Sequence, residues 1–297
     1  MAADVLLEVQ AVGHVYADDS HGLADCSLAI CRGSRNALLG ANGSGKTTLL
    51  LHLNGLLQPS SGCIRIDGQP LDYSRGGLAA LRRRVGLVFQ NPDRQLFSAN
   101  VFEDVSFGPL NLGLDEASVR ARVAQALAAV GMAGQAERPV HHLSFGQKKR
   151  ACIAGVLAMQ PELLLLDEPM AGLDPGMQDD LLRVLDDLAA RGISIVLATH
   201  DVDFAYGWAD DIHLLAAGRC TASFAAAQLP LQEAALRAAG QPLPAVVTLH
   251  QALVAHGALP AGPVPRGMPQ LLALLAMPAA AEDGMNETAR ASQRSAA

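Results

Sequence analysis

Positive charge is in short supply in this chain. Its 297 residues carry 22 Lys and Arg against 29 Asp and Glu, a formal net charge of −7 at pH 7. A general nucleic-acid binder needs clustered Lys and Arg to neutralise phosphates, so the balance argues against that class while leaving room for a local nucleotide site. Aromatics amount to 4% although half the residues are hydrophobic. The core must therefore be built from Leu, Val, Ile and Ala. Five cysteines, at positions 26, 31, 63, 152 and 220, include no CxxC pair. Neither a disulfide framework nor a zinc site is indicated. Unpaired thiols fit a reducing cytosol, with each free Cys as small apolar filler. The nine histidines form no convincing metal cluster, and His141-His142 reads as a loop feature. Asp4 and Glu8 interrupt the first apolar run, which does not read as a signal peptide. No stretch reaches the ~18 apolar residues of a membrane span. Leu163 to Leu166 runs into Asp167 and Glu168, and Leu271 to Ala276 into Met277 and Pro278. A soluble chain that can dock on a membrane partner is expected. There is no internal repeat.

What is present is an alternation of short β-rich and helical segments up to about residue 220. Leu6 to Val12, Arg35 to Leu39, Ile64 to Ile66, Val85 to Phe89, Leu163 to Leu166 and Ser194 to Ala198 read as strands. The last three are nearly continuous in apolar character, the pattern of strands covered on both faces. Helices between such strands imply an α/β sheet with a parallel core. Residues 100 to 160 differ. Charged residues recur at helical spacing through Ala and Leu, which predicts an inserted helical subdomain. After about residue 228 Ala, Leu, Pro and Gly dominate, with short helices predicted at Ala234 to Ala239 and Gln270 to Ala276. Residues 279 to 297 are small and polar and are expected to be disordered.

The strongest motif is Gly40-Ala41-Asn42-Gly43-Ser44-Gly45-Lys46-Thr47, between a predicted strand and a helical run beginning at Thr48. Its glycines allow successive backbone N–H groups to turn inward as an anion nest, and the helix presents its N-terminus to the same anion. Lys46 can reach the β and γ phosphates of a nucleotide, and the Thr47 hydroxyl can hold Mg²⁺. A second element is the apolar strand ending in Asp167 and Glu168. Asp167 is placed to hold Mg²⁺ through water, and Glu168 to orient and polarise an attacking water. Ser144 and the Gly146 amide, in Leu143-Ser144-Phe145-Gly146-Gln147, open another helix that could receive a phosphate. Gln90 and His200 each follow a predicted strand. Alone, each of these elements has an ordinary structural explanation.

Taken in this order, the residues resemble those of the ATP-binding-cassette ATPases over roughly residues 5 to 225. Residues 40–47 match the Walker A loop, 163–168 the Walker B strand and Gln90 the Q-loop. Residues 143–147 match the signature motif, Gly172-Leu173-Asp174 the D-loop and His200 the switch histidine. Tyr16 falls where the family places an aromatic that stacks on adenine. The resemblance implies an α/β fold: a P-loop NTPase (RecA-like) core, an antiparallel β subdomain and an inserted helical subdomain at about 95–160. It places the ATPase domain at 1–227 and a small C-terminal helical extension, associated with dimerisation, at 228–278. It implies ATP bound by Tyr16, Gly40, Asn42, Gly43, Ser44, Gly45, Lys46, Thr47 and Thr48, with Ser144, Gly146, Gln147 and Asp174 acting from a second chain. Mg²⁺ would be held by Thr47, Gln90 and Asp167, and hydrolysis assisted by Glu168, His200 and Gln90. The second chain is another copy or a similar ATPase.

Two stretches resemble one branch of that family. They are Phe89 through Phe97 with Glu103 through Gly113, and Leu143 through Arg150 leading into Ile153 to Met159. Both look like the ATPase of energy-coupling-factor importers of the cobalt and nickel type, in which Phe at 145 is usual. Met170 has no explanation in that pattern. The resemblance implies a peripheral protein on the cytoplasmic face of the membrane. A membrane scaffold subunit would dock near Gln90 to Phe97, with a substrate-binding membrane subunit beyond it. Cobalt is the first expectation for cargo, with nickel or a vitamin as alternatives and a non-transport cassette ATPase as the rival class. Leu96-Phe97 is read as part of the docking pocket, against ordinary core packing of Phe97.

Overall fold

The structure, a computed structural model, describes residues 4–276. The tail expected beyond residue 278 lies outside the described residues. The chain divides into two compact units, Met1–Leu243 and Pro244–Ala297. The expected boundary at 227/228 thus falls inside the first unit.

Two sheets build the first unit. One is antiparallel, with order β2-β1-β4-β5, from β1 (Val5–Val15), β2 (His21–Cys31), β4 (Ser61–Ile66) and the short β5 (Gln69–Pro70). The other comprises β3 (Arg35–Leu39), β6 (Val85–Val88), β7 (Leu163–Asp167), β8 (Ser194–Thr199), β9 (Asp211–Ala216) and β10 (Arg219–Ala225), in the order β10-β9-β3-β8-β7-β6. Its pairings are parallel except β9 with β10. Every residue of β7 and β8 is buried, as expected for central strands covered on both faces. Helix α1 (Lys46–Leu53) packs in one core with both sheets. Its Leu49, Leu50 and Leu53 join Leu7 and Ile30 on one side and Leu163, Leu165 and Val196 on the other.

Around this core run α2 (Arg75–Arg84), α6 (Pro175–Ala190), α7 (Val202–Trp208) and α8 (Glu233–Ala238). The insertion consists of α3 (Val101–Asn111), α4 (Glu116–Ala129) and α5 (Phe145–Leu157), each packed on the other two. The second unit pairs α9 (Ala245–Ala255) with α10 (Met268–Ala276). Among the described residues no helix is long and apolar enough to cross a membrane.

Some expectations need correction. Strands β2, β5, β9 and β10 and helix α9 were not anticipated. The strand expected to end at Phe89 ends at Val88, so Gln90 lies in the loop beyond it. The cysteines are all free, but only Cys26 and Cys152 are buried.

Candidate active site

Helix α1 begins without a side-chain cap, as do α8 and α9. Helices α2 to α7 each start under a side-chain cap, from Ser74, Asn100, Asp115, Ser144, Asp174 and Asp201. The residue before α1 is Gly45, at φ +105°, with no cap and no acidic residue in the first turn. The first-turn N–H groups of a helix need acceptors, so an uncapped start favours an external anion. Gly45 is required there. A Cβ would lie 2.8 Å from the Gly22 carbonyl oxygen and occupy a left-handed φ. At Gly40 a Cβ would collide with the Leu215 carbonyl and the Ser44 hydroxyl.

Lys46 is buried and preorganised. Its Nζ donates to the carbonyls of Gly40 (2.8 Å) and Ala41 (3.2 Å) and lies 3.4 Å from Glu168 Oε1. Beside it the Thr47 hydroxyl donates to Asp167 Oδ2 at 2.8 Å. Asp167 Oδ1 is buried without a partner. Burial pushes the Asp167 carboxyl above its usual range, a rise opposed by the bond from Thr47. An orphaned buried carboxylate oxygen next to a hydroxyl suits a hard cation that takes oxygen ligands, and the Gln90 amide lines the same cleft.

Glu168 follows β7 at φ +45°, a left-handed conformation that is rare outside glycine and concentrated at functional sites. Its N–H is held by the Ala198 carbonyl at 3.1 Å. The carboxylate is only 11% exposed, with the Lys46 ammonium on one flank and His200 Nδ1 on the other, at 3.0 and 3.1 Å. A carboxylate only accepts, so Nδ1 carries the proton in that contact. Chemically, this places a water-orienting carboxylate against an anion-binding ammonium, with an imidazole fixing its direction.

The cleft measures about 380 Å³, within the ~300–1,000 Å³ of small-molecule sites. It is lined by Tyr16, His21, Gly22, Asn42, Gly43, Gly45, Lys46, Thr47, Thr48, Gln90, Asp167 and Glu168. At its rim the Tyr16 hydroxyl bonds Thr48 Oγ1 at 2.8 Å, and the ring meets His14 edge-on. A larger open groove of 790 Å³ follows β1, β2 and β10, but its carboxylates Glu8 and Asp211 would repel an anionic nucleotide. Among the described residues no three His, Cys, Asp or Glu groups gather as a metal site.

Of the residues expected from sequence, the structure brings Tyr16, the 40–48 loop, Gln90, Asp167, Glu168 and His200 together. Gly40 and Ser44 support the loop from behind. Ser144, Gly146, Gln147 and Asp174 do not line the cleft. Ser144 caps α5 by accepting from Gln147 N–H, while Gln147 Oε1 accepts from Ser144 N–H. The Ser144 hydroxyl hydrogen remains available to a ligand. Asp174 caps α6 through Met177 N–H. Core packing of Phe97 does not occur. It is 66% exposed and meets Phe107, itself 51% exposed, edge-on. Sequence reasoning missed His14, His21 and Gly22. His14 meets Tyr16 and His52, and Gly22 faces Tyr16 and Thr48, contacts that no local motif marks.

The chain matches the family model described as ABC transporter over residues 23–171. It is similar to the cobalt import ATP-binding protein CbiO of Rhodobacter capsulatus, 48% identical over 91% of this chain and 97% of that protein. It is also similar to the energy-coupling factor transporter ATP-binding protein EcfA of Methanothermobacter thermautotrophicus, 47% identical over 73% of this chain and 70% of that one. Among solved structures, CbiO1 of Clostridium perfringens, described as part of the transporter complex CbiONQ, superposes with a TM-score of 0.72 at 42% identity. That match covers 84% of this chain and 99% of that one. A dimeric ATP-binding cassette, MJ0796 bound to ADP and phosphate, gives 0.67 at 25% identity, covering 74% and 99%.

Proposed function

The chain belongs to the ABC transporter family, as an ATP-hydrolysing subunit of the energy-coupling-factor type, and from that premise we propose that two such chains close on two shared ATP molecules to energise import of a transition-metal ion, cobalt first. One observation carries the two-chain reading. The hydrolytic groups Lys46, Thr47, Asp167, Glu168 and His200 converge on one cleft, while Ser144 and Gly146 open a helix that does not line it. A second chain, identical or similar, would supply that helix start to the γ-phosphate. The dimeric neighbour supports this arrangement.

In this reading Lys46 and the N-terminus of α1 bind the phosphates, and Tyr16 takes the base. Thr47, Asp167 and Gln90 would hold Mg²⁺, which neutralises charge developing on the phosphates. Glu168 orients the attacking water and accepts its proton, while His200 keeps the carboxylate aimed. Ser144 of the second chain donates to the γ-phosphate only on closure. The exposed pair Phe97 and Phe107, with Leu110, supports docking of a membrane scaffold subunit near Gln90 to Phe97. That docking would hold the chain on the cytoplasmic face of the membrane. The cobalt assignment rests on the 48% identity to the cobalt import protein, with nickel or a vitamin as alternative cargo.

Ser144→Arg tests the shared site. It should leave ATP binding at Lys46 intact and abolish turnover, and full ATPase activity in that variant would sink the two-chain reading. Cells lacking the chain should lose cobalt uptake, and normal uptake of both cobalt and nickel there would refute metal import.

A further inference from the structure

We propose that Lys149 is a positioning residue for hydrolysis, tying helix α5, whose first turn serves the second chain's nucleotide, to the backbone that carries Glu168 at this chain's own nucleotide. The proposal rests on the two-chain reading for what α5 does. The contact itself belongs to one chain.

Lys149 projects from the second turn of α5 into the protein and is 3% exposed. Its ammonium donates to three backbone carbonyls of the loop after β7: Pro169 at 2.6 Å, Ala171 at 2.7 Å and Glu168 at 3.4 Å. An ammonium has three donors, and all three are spent on one short loop. The Phe145 ring covers the group from outside, 5.2 Å from Nζ, and rests on Gly172 of the same loop, where a Cβ would lie 3.0 Å from the ring. Gly172 has φ +75°, so neither loop nor ring leaves room for another residue there.

Three consequences point to positioning. The loop holds Glu168 in its left-handed conformation, and such a conformation persists only where surroundings fix it. Next, burial lowers the Lys149 ammonium to a pKa of about 8, so the charge is kept there against its own desolvation. An apolar side chain would fill the same space without that penalty. Finally, the loop has no regular secondary structure, and its own bonds, Ala171 N–H to the Glu168 carbonyl and Leu173 N–H to Met170, are local; Glu168 N–H ties it to β8 through Ala198, and the Gln178 amide ties it to α6 through the Met170 and Leu173 carbonyls. Lys149 is thus its tie to α5. A shift of Ser144 and Gly146 on a second chain's phosphate moves Lys149, and with it the backbone of Glu168. Each chain then carries a mechanical link between the two nucleotide sites.

The test compares Lys149→Met, which keeps the volume and removes every donor, with Lys149→Gln, which keeps two N–H groups one atom closer to the backbone. In the full chain, Met should lower kcat by about 30-fold while half-saturating ATP stays within threefold, and Gln should fall between Met and wild type. Hydrogen exchange on the chain before pairing should quicken at least tenfold in residues 168–173 and stay unchanged in residues 40–47. Wild-type kcat in the Met variant, or equal quickening in both segments, would overturn the proposal. The exchange result does not depend on a second chain. If Ser144→Arg retains full turnover, the two-chain reading fails even though the loop responds. If Ser144→Arg is inactive and Lys149→Met is not, only this inference fails.

Discussion

Replacing Glu168 by Gln separates binding from chemistry, because the same carboxylate opposes one and performs the other. Glu168 Oε1 lies 3.4 Å from the Lys46 ammonium. At an effective dielectric of about 20, two unit charges at that distance attract by about 5 kcal/mol. The γ-phosphate must share the ammonium with this carboxylate and also approach a negative charge. Gln removes both effects and keeps the shape. The ammonium retains its bonds to Gly40 and Ala41, so only part of the gross figure is recovered. A quarter of it, about 1.3 kcal/mol, is roughly tenfold in Kd. Turnover should fall by about 10²–10⁴, the range for loss of a positioned base. Equilibrium ATP binding and single-turnover hydrolysis, measured on both proteins, give the two numbers. Weaker ATP binding in the Gln variant, or turnover within threefold of wild type, would show that Glu168 is not placed as argued.

Tyr16→Ala should raise half-saturating ATP about tenfold without changing kcat, since base–aromatic stacking contributes about 1–3 kcal/mol and makes no contact with the reacting phosphate. Gly22→Ala should reproduce part of that loss, because the added Cβ would come within 2.7 Å of the Tyr16 ring and 2.8 Å of Thr48 Cγ2. Steady-state kinetics distinguish both from a general loss of activity. Acid stability reports on Glu162. Hydrogen bonding from Arg84, and then from Arg32, holds its carboxyl down at about 2. A depressed carboxylate stabilises the fold above its unfolded value near 4.5, and that share is lost as pH falls from there through about 2. With both partners partly exposed, screening leaves about 1 kcal/mol. Urea unfolding between pH 7 and 3 should show most of this loss in the wild type and not in Glu162→Gln.

Strands buried on both faces were the most plainly legible in sequence. β7 and β8 read as strands because Leu163 to Leu166 and Ser194 to Ala198 leave no polar face to obscure them. β2 alternates polar and apolar residues and includes Gly22 and Asp25, the latter at φ +58°, so its run looks broken. β9 and β10 are joined by a turn at Ala217 and Gly218 and carry His213, Arg219 and Ser223 within the strands. α9 follows Pro244 in a segment of nearly uniform apolar composition, where a helical stripe cannot stand out. In the site, Lys46, Thr47, Asp167 and Glu168 were readable because a phosphate loop and an acidic strand end have fixed local spacing. The Lys149 clamp was not. Its acceptors are backbone carbonyls, and a carbonyl leaves no trace in residue type. The positive φ of Glu168 is hidden for the same reason.

The uncapped start of α1 lets a bound nucleotide act as the cap of that helix. Six other helices carry side-chain caps, whereas α1 opens on Gly45 at the cleft, where a phosphate can serve as acceptor. A ligand that binds only the folded chain raises stability by RT ln(1 + [L]/Kd), about 2.7 kcal/mol at a hundredfold excess over Kd. The melting temperature of this protein is therefore a gauge of nucleotide concentration. Phosphate groups alone should move it, in proportion to how fully they occupy the first turn of α1.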